Sequence, residues 1–350
     1  MYPDVPLWLS IVLLTGGFVA LAWSSDYFVA GASSLAKAMG ISPFIIGMVI
    51  IGFGTSAPEL CVSTLSGIGG KSNLSLGNAY GSCVFNIAAI LGITAAIRPV
   101  FVKPATAFFA GPALATLAGF SLWVLSDGTC SRANGFTLLA LFAVILPAYC
   151  LYDQKSGGKT PPPPPPAGDP EPCSVGASLV KLIVGLAVLV ASSHTLVWGA
   201  VDLAKALGVS DLMVGLTVVA VGTSLPELAS AIASARRGEN EFVTGNIVGS
   251  NLFNTLAVVG IASAISPAEG FSRYILTRDL PLMIALSLSI LLFGANWRRP
   301  RENGRVTRFE GVVWLVVFIA YMVVMVGQEI RLGRNPAPPA ESALESAPAV

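Results

Sequence analysis

Apolar residues along this chain come in long runs separated by short polar breaks. They show neither the strict alternation of a half-buried strand nor the one-sided stripe of a soluble amphipathic helix. Ten runs stand out, at 7–27, 41–66, 75–97, 105–125, 135–151, 176–199, 209–235, 242–265, 275–295 and 309–328. A helix needs about 20 apolar residues to cross a bilayer. The runs are too long and too uniformly apolar for barrel strands, which leaves helices as the spanning element. The pattern predicts an all-α integral membrane protein with ten transmembrane helices.

Composition agrees: only 11% of residues are charged, against about 25% in soluble domains. A net charge of +1 gives no reason to expect a nucleic-acid partner. The expected surroundings are lipid and inorganic cations, with no obligate protein partner indicated. Cys61, Cys83, Cys130, Cys150 and Cys173 have no metal-ligand spacing and read as free thiols, mostly within the spans. The segment 1–10 lacks a basic stretch and a small-residue cleavage site, so the first run reads as a retained helix.

One stretch interrupts the series. Residues 152–174 include Pro161 to Pro166 in a row and read as an extended polar linker. It separates a first five-span half (1–151) from a second (175–330); the tail 331–350 is expected to be disordered. Lys and Arg divide thirteen to seven between alternate loops. By the positive-inside rule both termini lie outside and the linker in the cytoplasm. The expected location is a cell membrane, the inner one if the source is a Gram-negative bacterium.

The halves repeat. Residues 41–97 laid over 209–265, an offset of 168 without gaps, give 21 identities in 57 positions. Five spans separate equivalent points, and five is odd, so the second copy enters the membrane from the opposite side. Such inverted repeats place a transporter's site near the midplane, where the copies meet.

The identities cluster on chemistry. Gly54-Thr55-Ser56-Ala57-Pro58-Glu59-Leu60 recurs as Gly222-Thr223-Ser224-Leu225-Pro226-Glu227-Leu228. A carboxylate at the centre of a spanning helix costs about 3 kcal/mol or more; two at equivalent positions share a reason if a cation sits between them. Thr55 and Ser56 lie four and three residues before Glu59, and Thr223 and Ser224 before Glu227, so the hydroxyls should share the glutamate's helix face. Pro58 and Pro226 cannot donate to the carbonyls of Gly54 and Gly222, which predicts broken helices 2 and 7 with freed main-chain oxygens. In the next span of each half, Gly77-Asn78, Gly81-Ser82 and Phe85-Asn86 recur as Gly245-Asn246, Gly249-Ser250 and Phe253-Asn254. Ser82 with Asn86, and Ser250 with Asn254, fall on one face. Carboxylate, hydroxyl, amide and carbonyl oxygens suit a hard cation such as calcium and lack the nitrogen and sulfur ligands of a transition-metal centre.

At these two motifs the chain resembles the calcium/cation antiporter superfamily on its sodium/calcium exchanger side, in a minimal prokaryotic form. The resemblance covers about residues 7–328. It implies exchange of Ca²⁺ for Na⁺ by alternating access, often near three sodium ions per calcium, with no cofactor and no enzymatic activity. It makes Glu59 and Glu227 the principal metal ligands. Thr55, Ser56, Ser82 and Asn86 would line the site from one half and Thr223, Ser224, Ser250 and Asn254 from the other, with the main-chain oxygens of Gly52 and Ala220 contacting sodium. In studied sodium/calcium exchangers one of the positions matching Asn86 and Asn254 is commonly aspartate; here both are asparagine.

Plainer readings compete. Thr, Ser and Gly in a membrane helix are more often packing residues than ligands, and the repeat is what raises these above that background. His194, which stands where the first half has Asp26, reads as an ordinary polar residue; Asp26 and Asp202 read as span-end residues facing water. Rival functions are potassium-dependent or proton-coupled calcium exchange and a passive cation channel. A membrane di-metal enzyme would need histidines the motifs lack.

Overall fold

The computed structural model describes residues 6–156, 174–207 and 220–334. Most of the linker, the first part of the seventh span and most of the tail lie outside the described residues. The rest is helical apart from four short strands. In chain order the elements are α1 (Leu7–Met39), α2 (Pro43–Thr55), α3 (Ala57–Ile68), α4 (Ser72–Ile97), β1 (Val100–Val102), α5 (Thr106–Val124), β2 (Thr129–Cys130), α6 (Arg132–Ser156), α7 (Val175–Ala206), α8 (Ala220–Gly222), α9 (Leu225–Arg237), α10 (Asn240–Ile265), β3 (Ala268–Glu269), α11 (Ile275–Gly294), β4 (Gly304–Val306) and α12 (Arg308–Arg334). Among the described residues eight helices are long and apolar enough to cross a membrane, and the bent pair α2–α3 makes a ninth span.

Several helices outrun their apolar stretches, α1 and α7 furthest. α1 has 33 residues and α7 has 32, where the hydrophobic runs predict ends near 27 and 199. At ~1.5 Å per residue each is about 50 Å long, well beyond the ~30 Å hydrocarbon core. The polar run Ser24-Ser25-Asp26 does not stop α1 because Ser24 and Ser25 turn their hydroxyls back onto the carbonyls of Leu21 and Ala22, at 3.2 and 2.8 Å. α1 ends at Gly40, whose φ of 63° supplies the left-handed cap. Lys37 and Lys205 therefore sit in last helical turns. Asp26 is exposed, as expected, but Asp202 is only half exposed and accepts a hydrogen bond from Ser10 of α1. α6 likewise continues through Ser156, past the predicted start of the linker.

α1 and α7 pack along their length through glycines whose places any side chain would fill with clashes. A Cβ on Gly17 would meet Leu196 at 2.7 Å, and one on Gly185 would meet Phe28 at 2.7 Å; Gly31 similarly faces Leu182, and Gly199 faces Leu14. The offset of 168 turns each contact into its mate, since Gly17 maps to Gly185, Phe28 to Leu196, Leu14 to Leu182 and Gly31 to Gly199. As the position on α1 rises, its partner on α7 falls, so the two helices are antiparallel. Small residues let the backbones approach where lipid offers no hydrophobic drive for association.

The same exchange appears at the ends of the bundle. β1 pairs antiparallel with β4, Phe101 opposite Arg305, and β3 pairs antiparallel with β2, Cys130 opposite Ala268. α6 packs on the end of α10 while α12 packs on the end of α4. At the centre lie α4 and α10, with 78% and 89% of their apolar windows buried, against 17% for α6 and α12. The peripheral helices turn Trp8, Phe18, Phe136, Phe309, Val316 and Ile319 outward, a belt too apolar for water and suited to acyl chains.

Candidate ion site

α2 and α3 meet at 44°. The break falls at Ser56 (φ −82°, ψ 4°), two residues before Pro58. The second half repeats it at Ser224 (φ −94°, ψ 10°) between α8 and α9. The prolines thus do not kink a continuous helix. Each opens a new one, in the first turn where the missing N–H has no intrahelical partner to lose. The helices are broken as the motif predicts, with the proline just after each break, and this sets each glutamate in the first turn of a half-helix. There the helix dipole and unsatisfied N–H groups favour negative charge by ~0.3–1 kcal/mol, more in partly buried geometries.

The break also redirects the hydroxyls. Ser56 does not serve Glu59, as helical spacing suggests; its Oγ donates to Glu227 Oε1 at 3.0 Å. Ser224 donates to Glu59 Oε1 at 2.8 Å. Each serine caps the glutamate of the other half. Both glutamates, both serines and Thr55 are buried, the glutamates completely.

The following helices frame this pair. Ser82 Oγ lies 3.3 Å from Ser224 Oγ, whose one proton is committed to Glu59. Ser250 Oγ lies 3.4 Å from both the main-chain oxygen of Gly52 and Asn246 Oδ1, and its one proton can serve either. Thr55 donates to the carbonyl of Ile51 at 2.9 Å and reaches Asn246 Oδ1 at 3.3 Å; Thr223 reaches Asn78 Oδ1 at 3.5 Å. The structure therefore gathers these residues into two matching sets, Glu59 with Ser224, Ser82 and Thr223 and Glu227 with Ser56, Thr55, Ser250 and Gly52, each drawing groups from both halves. Ala220 opens α8, but no described contact ties its carbonyl to either set.

α10 comes this close to α2 because of its glycines. A Cβ on Gly249 would collide with the main-chain oxygen of Met48, and one on Gly245 would lie 2.5 Å from that of Phe44. Both α4 and α10 loosen into a π-helical turn that holds the asparagines, at Phe85–Leu91 and Phe253–Val258. Such turns are frequent at functional sites.

Asn78 and Asn246, conspicuous in the repeat but not singled out as site residues, are the braces of the site. Asn78 Nδ2 donates to the main-chain oxygen of Glu59 at 3.1 Å and to Ser63 Oγ at 2.9 Å. Asn246 Nδ2 donates to the main-chain oxygen of Glu227 at 3.4 Å and to Ser230 Oγ at 3.1 Å. Their signal was available, since each lies four residues before Ser82 or Ser250 on the same helix face.

Four buried oxygens on predicted ligand residues have no protein partner: Glu59 Oε2, Glu227 Oε2, Asn86 Oδ1 and Asn254 Oδ1, although no described contact ties the two asparagines to the carboxylates. A buried acceptor left unpaired costs about 1–3 kcal/mol, and a charged one more. Two carboxylate and two amide oxygens left over among hydroxyls are what a hard cation would take up. Among the described residues no three His, Cys, Asp or Glu side chains gather. Replacing a capping serine should therefore weaken the carboxylate it holds. Ser56→Ala and Ser224→Ala are each expected to raise the KM for calcium about tenfold or more, since a hydrogen bond to a charged group contributes about 1.5–3 kcal/mol. Initial rates of calcium uptake into proteoliposomes provide the check, and the two variants should behave alike.

A multi-pass helical membrane protein with a buried, all-oxygen constellation of this kind belongs to the class of cation transporters. Comparison with known proteins agrees. The sodium/calcium exchanger protein family model matches residues 9–149 and 177–327, and this chain belongs to that family, whose members are cation antiporters rather than enzymes. It is 38% identical to CaxA of Alkalimonas amylolytica over 91% of this chain and 98% of that one. It is 29% identical to the sodium/calcium exchanger MaX1 of Methanosarcina acetivorans, over 91% and 98%. The solved structure of the sodium-calcium exchanger NCX_Mj superposes with a TM-score of 0.75 at 28% identity, covering 92% of this chain and 99% of that one.

Proposed function

We propose that this protein is a secondary antiporter that exchanges Ca²⁺ for Na⁺ by alternating access, through a single site between two inverted five-helix halves. The observation that carries the reading is the reciprocal pairing of Ser56 with Glu227 and Ser224 with Glu59, which leaves one oxygen of each buried carboxylate unpartnered. Two negative charges are neutralised by one Ca²⁺ or by two Na⁺, so a shared site can carry either load through a low-dielectric barrier. The antiparallel α1–α7 pair and the exchanged strand pairs support inverted halves. In this reading ten helices span the membrane, with 209–235 as the seventh, and both termini face outward. The surrounding partner is lipid, and Gly52 and Ala220 lend main-chain oxygens to sodium.

Ion substitution tests the coupling. Purified protein in proteoliposomes is given an outward gradient of Na⁺, of K⁺ or of protons, and calcium uptake is followed. Uptake driven by Na⁺ alone is expected. Uptake driven only by protons, or only with K⁺ present, would replace sodium coupling with one of its rivals. Non-saturating calcium flux in both directions would indicate a channel.

A further inference from the structure

The two site asparagines are equivalent by the repeat and inequivalent by environment. Asn86 Nδ2 donates to Asn251 Oδ1 at 3.1 Å across the interface between α4 and α10. With its amide nitrogen so engaged, Asn86 keeps Oδ1 free of protein partners. The reverse orientation would present an NH₂ group to any cation held by Glu59 and Glu227. Asn254 has no such anchor, and both its amide atoms lack partners although the residue is fully buried.

The cause lies one turn earlier. Subtracting 168 from Asn251 gives Cys83. A thiol is a weak donor and a weak acceptor, and this one is turned elsewhere, 3.8 Å from the main-chain oxygen of Asn251 and 3.6 Å from Thr255 Oγ1. The residue that could hold Asn254 as Asn251 holds Asn86 is missing from the first half.

Resting on the antiporter reading above, we propose that Asn251 is a positioning residue that presets Asn86 as a ligand, while Cys83 leaves Asn254 adjustable. The site thus offers one fixed and one mobile amide oxygen. The fixed one helps replace the hydration shell of calcium without reorganisation. The mobile one can follow the change in ligand number when sodium takes the site. Partners that orient a metal ligand typically set affinity by ~10–100-fold when removed.

The experiment moves the anchor. Wild type, Asn251→Cys, Cys83→Asn and the exchanged double variant Cys83→Asn/Asn251→Cys are assayed for KM and maximal rate of sodium-driven calcium uptake. In parallel, the rise in Tm of the detergent-solubilised full chain on adding CaCl₂ reports binding without transport. Asn251→Cys is expected to raise the calcium KM about tenfold, with a smaller change in maximal rate, and the double variant to restore it. In the wild-type background Asn86→Ala should harm calcium affinity more than Asn254→Ala, and in the exchanged background the order should reverse. An unchanged KM in Asn251→Cys, failure of the double variant to restore it, or equal effects of Asn86→Ala and Asn254→Ala overturn the proposal. If Asn251→Cys does not fold, the comparison of Asn86→Ala with Asn254→Ala decides alone. If wild type binds calcium but does not exchange it for sodium, the antiporter reading falls, and the Tm series still decides the role of Asn251. If wild type neither binds nor transports calcium, both fall.

Discussion

Glu59→Gln and Glu227→Gln are each expected to reduce sodium-driven calcium uptake by about a hundredfold or more. The amide is isosteric with the carboxylate, so the half-helix can keep its shape, but the site drops from two negative charges to one. A calcium ion would then carry an uncompensated positive charge at a buried position. Removing one partner of a buried charge pair costs about 3–5 kcal/mol, and each ~1.4 kcal/mol is a factor of ten in affinity. The two variants should fail to similar degrees because the glutamates hold equivalent places: each completely buried, each in the first turn of its half-helix and each capped by a serine of the other half. Proteoliposome uptake assays measure the loss, and unchanged Tm in detergent shows that the fold survives. Retention of uptake in either variant would remove that glutamate from the ion path.

The second large effect concerns the empty carrier. Proteoliposomes loaded with calcium and diluted into a medium without Na⁺ or Ca²⁺ should release it at the rate of protein-free vesicles, and adding Na⁺ outside should start release at once. The physical reason is the cost of moving two ionised, unpaired carboxylates between the two sides of the membrane. The effective penalty for a buried uncompensated charge is several kcal/mol per ion, which leaves the reoriented empty state too scarce to support net flux. Calcium release without any counter-cation would show that the unloaded site crosses freely, and obligatory exchange would be lost.

Much of this protein is legible in one dimension. The helical membrane class follows from the length of the apolar runs, since only helices satisfy their own backbone in lipid at that length. The site region follows from the duplicated Gly-Thr-Ser-x-Pro-Glu motif, because a carboxylate repeated within apolar runs needs a common reason. Where sequence spacing misleads, it does so by assuming a continuous helix. Helical periodicity puts Ser56 beside Glu59 and Ser224 beside Glu227, whereas the chain breaks at both serines and each hydroxyl crosses to the opposite half. The apolar runs stop short of the ends of α1 and α7 for a related reason: on α1 the polar Ser24 and Ser25 turn back onto the helix's own carbonyls, and on α7 Asp202 takes a hydrogen bond from Ser10 of α1.

What kinds of ligand this protein can offer, and that they come in two matched sets, is written in local residue order and the repeat. Which atoms remain free for an ion is not, because that depends on hydrogen bonds between residues well over a hundred positions apart. Asn86 and Asn254 read identically along the chain; only the packing of α4 against α10 sets Asn251 beside one and leaves the other unanchored. Periodicity reports what a segment can do alone, and polar satisfaction in a buried site is settled by neighbours that only the folded chain supplies.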